Sequence, residues 1–144
     1  MRSMRTNGPG TRLHGGGGVC GKTPKVAALQ DLLLYAVRGL SLYAHAARKR
    51  GLVDPEVNRF TVQALFSTVT NVDFDPERFV ILIKRAVELR DGLAQRLAAA
   101  GVEPRFEDAA ASFQPAADGP GMVRQGEEEV KTAFCLLAFL LFRY

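Results

Sequence analysis

The stretch GGGVCGKT, Gly16–Thr23, sets a cysteine, a lysine and a threonine behind a run of glycines. Its spacing satisfies the phosphate-loop pattern G-x-x-x-x-G-K-[ST], in which backbone N–H groups cradle phosphate and the lysine adds a positive charge. Such a loop works at the mouth of a parallel sheet, directly after a buried strand. The residues before it, TNGPGTRLHG, contain no apolar strand, and no later apolar run ends in an Asp that could serve the magnesium side. The pattern lacks the context its chemistry requires, so nucleotide binding is not expected.

Cys20 then has two open readings. It is either an incidental loop thiol or a thiolate metal ligand. Flanking glycines would let the backbone approach closely, and Lys22 and the start of a following helix would both favour a negative sulfur. His14 lies six residues earlier and could share a metal with Cys20, but two ligands at loose spacing make a weak metal signal. Cys135 sits inside the apolar run AFCLLAFLLF, where a thiol behaves as a small buried hydrophobe. His45, close to Tyr43, reads as a structural or solvated imidazole rather than a ligand.

The elements that must position these residues are helices. Thr23 is placed to cap, Pro24 suits a first helical turn, and apolar residues recur at Val26, Leu29, Leu33, Val37, Leu40 and Ala44 before Gly51. A second helix begins with Asp54 and Pro55 and carries Val57, Phe60, Ala64, Leu65 and Thr68. A third begins with Asp75 and Pro76 and runs through Phe79, Leu82, Ile83, Ala86, Leu89, Leu93 and Leu97 to Gly101. Short links between long amphipathic helices imply an antiparallel arrangement. The expected fold is an all-α antiparallel bundle of three long helices plus a C-terminal apolar helix. Residues 1–18 read as a Gly- and Arg-rich lead-in, 19–101 as the bundle, 102–126 as a linker with at most a short turn, and 127–144 as the apolar helix.

Composition narrows the function classes. The 144 residues are 47% hydrophobic and 24% charged, which is the balance of one globular domain. A formal charge of +4, with no Trp and no RNA-binding signature, gives no nucleic-acid footprint. Two cysteines in unlike surroundings do not form a disulfide framework, and a reducing cytoplasm is expected. Ala133–Phe142 is too short for the roughly 20 residues a membrane-crossing helix needs, so no membrane span is expected. Helical throughout, that run would be apolar at every azimuth, which favours self-association or a partner. A chain shortened to end near Gln125 is expected to be more soluble.

Four ordered strings, GVCGKTP, LQDLL, ALFST and TNVDFD, closely resemble the start of the hybrid-cluster (prismane, hydroxylamine reductase) proteins across about 80 residues, Gly18–Leu97. That resemblance implies an all-helical first domain with an iron-sulfur cubane at its edge, held by four cysteines. The cysteine of the VCGK string is the last of those ligands, which makes Cys20 the matching cofactor and metal position. The family also has a Cys-x-x-Cys pair and a third cysteine ahead of that string, whereas Met1–Gly18 contains no cysteine. Its further domains, which carry the hybrid cluster where nitrogen chemistry occurs, have no counterpart in these residues. The expectation is a truncated hydroxylamine reductase-like domain, ancestrally an iron-sulfur oxidoreductase and inactive alone, with no cluster retained by this chain alone. Its partner would be the remainder of such an enzyme, or a second copy through the C-terminal helix. The competing expectation is a non-enzymatic helical module that binds a partner through that helix.

Overall fold

The structure is a computed structural model, and it describes residues 22–69 and 75–128. The described residues are all-α. Helix α1 spans Pro24–Arg48, α2 spans Pro55–Val69, α3 spans Pro76–Ala99, and a 3-10 turn covers Ala109–Ser112. A further helix, α4, occupies 119–128.

Each of the three long helices starts where a short polar side chain meets a proline. The Thr23 hydroxyl accepts from the Val26 N–H, and Pro24 fills the first position, which needs no donor. Asp54 accepts from the N–H groups of Glu56 and Val57 at 2.9 and 3.3 Å, and Asp75 accepts from Glu77 at 3.0 Å. Gly51 and Gly101, with φ of +74° and +72°, close α1 and α3 in the left-handed conformation that lets the following N–H groups reach back to the last carbonyls.

The core runs along α1. Leu29, Leu32, Leu33, Ala36, Val37 and Leu40 are buried, chiefly against the Phe79, Ile83, Ala86, Leu93 and Leu97 face of α3. Helix α2 adds Val57, Phe60 and Ala64, and runs opposite to both neighbours. Its start meets the ends of α1 and α3 through Arg48–Asn58 at 3.0 Å and Arg96–Asp54 at 2.5 Å. Leu65, expected on the inner stripe, is instead 43% exposed, because it lies about 100° around the helix from Ala64.

Residues 102–118 are packed along α1. Phe106 meets the Tyr43 ring edge-on at 4.8 Å, Asp108 pairs with Arg38 at 2.6 Å, and Phe113 meets Tyr35 at 5.3 Å. Ala110 is fully buried against Gly39, where a Cβ would fall 2.1 Å from the Ala110 carbonyl oxygen. Arg90, buried on α3, donates to the Phe113 carbonyl at 2.5 Å and pairs with Asp91 at 2.7 Å. Helix α4 begins at 119 rather than at the expected 127. Asp118 caps it, accepting from the Gly121 N–H at 2.7 Å, and Met122 is buried. Cys20, His14, Cys135 and the apolar run Ala133–Phe142 lie outside the described residues.

Candidate functional site

The described residue nearest in sequence to Cys20 with chemistry of its own is Lys22. It stands two positions ahead of α1, and its ammonium turns inward. The Nζ donates to the Gln30 Oε1 at 3.0 Å and to the Thr68 main-chain carbonyl at 2.8 Å, and the residue is buried. Thr68 is in the last turn of α2, where carbonyls have no partner within the helix and the macrodipole is negative. A cation placed there satisfies an orphan acceptor and ties the start of α1 to the end of α2.

This geometry bears directly on the phosphate-loop pattern. A phosphate-binding lysine needs its ammonium free to meet the ligand, whereas Lys22 is engaged on two protein acceptors 8 and 46 residues away in sequence. Sequence alone gives Lys22 the task of favouring a thiolate. The structure assigns it to hold two helices together.

Gln30 completes the arrangement. Its Oε1 accepts from Lys22, while its Nε2 is buried with no hydrogen-bond partner among the described residues. No sequence pattern singles out Gln30, although a glutamine one position after the core residue Leu29 is a visible interruption of the apolar face.

Of the two histidines, only His45 falls within the described residues. It is exposed on α1 and borders an open groove of about 310 Å3 between α1 and α2, with Arg48, Asn58 and Thr61 on the same walls. Among the described residues no group of three or more His, Cys, Asp or Glu side chains could hold a metal ion. No helix among them is long and apolar enough to cross a membrane.

Residues 7–131 match the family described as Prismane/CO dehydrogenase. The chain belongs to the Prismane/CO dehydrogenase family. Among its relatives in that family, a hydroxylamine reductase of Syntrophobacter fumaroxidans is 56% identical over 109 residues, covering 76% of this chain and 20% of the relative. One of Methanocella arvoryzae is 55% identical over 109 residues with the same coverage. One of Thermodesulfovibrio yellowstonii is 44% identical over 134 residues, covering 90% of this chain and 23% of the relative. The chain spans about a fifth of the length of the curated relatives it matches.

The donor set of this chain decides whether it suits the iron-sulfur cubane that the family resemblance implies. Such a cluster takes four thiolates, and the 144 residues hold two cysteines, Cys20 and Cys135, separated by more than a hundred positions. Near Cys20 in sequence, the buried cationic side chain among the described residues, Lys22, is committed to Gln30 and Thr68. The residues present do not fit a cubane held by this chain alone.

Proposed function

We propose that this chain is a helical scaffold segment of a hydroxylamine reductase-type enzyme, and that it has no reductase activity alone. The observation that carries this reading is 56% identity over 109 residues to a hydroxylamine reductase of which the chain spans only 20%. Reduction of hydroxylamine to ammonia and water consumes two electrons and two protons, and in this class of chemistry a cofactor carries the electrons. What the described residues do is structural. Capped helix starts, the Lys22 tie and the Arg90 anchor hold together a segment whose sequence relatives belong to much longer reductases.

The test is turnover with an artificial electron donor. Purified chain is expected to consume hydroxylamine no faster than a metal-free control, while the intact Syntrophobacter fumaroxidans relative turns over in the same assay. Anaerobic reconstitution with iron and sulfide is expected to leave less than one cluster per chain after desalting. Hydroxylamine reduction by the isolated chain, or stoichiometric iron and sulfide with a cubane spectrum that disappears in Cys20→Ser, would overturn the proposal.

A further inference from the structure

Helix α2 is apolar on two sides. Val57, Phe60 and Ala64 face the core, while Val62, Leu65 and Val69 form a second stripe, exposed at 68%, 43% and 77%. Their spacing of three and four residues keeps them on one face for two turns. The polar side of the helix is narrow, with Glu56, Arg59 and Gln63 at the same three- and four-residue spacing. A surface helix of a complete domain has one apolar stripe and a broad polar remainder. Two apolar stripes and a thin polar strip are the pattern of a helix held between two packed layers, and among the described residues only the inner layer is provided, by α1 and α3.

The outer stripe continues into an opening. The groove of about 310 Å3 between α1 and α2 has Val62 on its wall beside Thr61 and Asn58, with Ala44, His45 and Arg48 opposite. The two helices are tied at the ends, by Lys22 to Thr68 and by Arg48 to Asn58, and Leu34 of α1, between those ties, is also partly exposed. The cleft between the ties therefore has a mixed lining, with Ala44, Val57 and Val62 among Ser41, Asn58 and Thr61, and a cationic end at Arg48.

We propose that this outer face of α2, with the groove beside it, is the docking surface for the remainder of a hydroxylamine reductase-type chain, through an amphipathic helix that carries a carboxylate toward Arg48. The occupant is set by length, because relatives more than half identical to this chain continue for the other four-fifths of their residues. That remainder has to be attached to the shared segment, and the outer stripe of α2 is an apolar surface of the shared segment not taken up by its own core. This inference rests on the reading that the chain is part of such an enzyme.

The test uses the full 144-residue chain, tagged and co-expressed with the Syntrophobacter fumaroxidans hydroxylamine reductase lacking its matching 109 residues. The two are expected to co-purify, with recovery falling at least tenfold for the double variant Val62→Lys, Leu65→Lys and unchanged for Gln63→Lys on the polar strip. Circular dichroism of each variant chain confirms that helix content is retained. A photo-crosslinking amino acid in place of Val62 is expected to give an adduct with the remainder, and the same group in place of Gln63 is expected to give none. Co-purification that is indifferent to the double variant, or crosslinking from Gln63 and not Val62, overturns the surface while leaving the functional reading standing. A Val62 adduct with a second copy, or with residues 129–144 of the same chain, likewise overturns it. Failure of the unaltered chain to co-purify overturns the docking surface, while the functional reading stands or falls with the turnover assay.

Discussion

Replacing Gly39 and Gly92 by alanine should move stability in opposite directions, although both are glycines inside long helices. Either substitution removes the same backbone freedom from the unfolded chain and gains about 1 kcal/mol of intrinsic helix preference. At Gly92 a Cβ meets nothing within 4 Å, so that gain is kept. At Gly39 the new methyl would lie 2.1 Å from the Ala110 carbonyl oxygen and 2.9 Å from its carbon. Both atoms are backbone, and ordinary contact requires well over an ångström of retreat by the 3-10 turn that carries buried Ala110 and Ala111. Overpacking of this kind costs roughly 1–3 kcal/mol, leaving Gly39→Ala a net loss of up to about 2 kcal/mol. Gly92→Ala should gain about 0.5–1 kcal/mol. Thermal melts followed by circular dichroism, with urea titrations beside them, should put the two variants on opposite sides of the wild type by several degrees each. A Gly39→Ala chain as stable as Gly92→Ala would refute the close approach of α1 to the turn.

Lys22→Met is expected to cost about 2 kcal/mol, since two hydrogen bonds from a charged donor are lost and the Thr68 carbonyl and Gln30 amide are left buried, with part of the loss returned by removing a desolvated charge; equal urea midpoints would show that the tie is not structural. Asp54→Ala should lower stability by about 1 kcal/mol at neutral pH through loss of the α2 cap. Burial alone would raise the Asp54 pKa, but the Val57 and Glu56 N–H groups and the Arg96 guanidinium together hold it below the ordinary 3.8. With the folded value depressed, the stabilisation is present above that ordinary value and lost as pH falls through the folded one. The gap between wild type and Asp54→Ala should thus be constant from neutral to mildly acidic pH and close only in strong acid; a gap that widens on acidification would contradict the assignment.

Most helix boundaries are legible because they are written in adjacent residues. Thr23-Pro24, Asp54-Pro55 and Asp75-Pro76 start helices where the structure has them, and Gly51 and Gly101 end two of them. The start of α4 uses the same device in disguise, with Asp118 capping and Pro120 two positions on, but the flanking Gly119 and Gly121 read as a breaker. The role of Lys22 is not legible. Its acceptors are a main-chain carbonyl 46 residues away and an amide two turns along α1, and a carbonyl leaves no mark in residue type. Arg90 is similar, since its partner at Phe113 is again backbone. The outer stripe of α2 is half visible. Leu65 reads as core because it adjoins Ala64, and only the third dimension shows that α2 has two apolar sides.

The path of residues 102–118 along α1 has a consequence for where this chain can be divided. By composition it looks like spare connecting chain, the natural place to separate three helices from the C-terminal residues. With Phe106 on Tyr43, Phe113 on Tyr35 and the Phe113 carbonyl in the grip of Arg90, it is instead the third wall of α1. A cut at Val102 would strip that wall and open the side of the helix holding Gly39 and Ala28, the second of which lies against Gly126 of α4. A piece lifted out or spliced into another gene therefore has to run through residues 102–118 and into α4 to keep this side of α1 covered. Cloning at the glycine-marked end of the third helix would deliver an incomplete one.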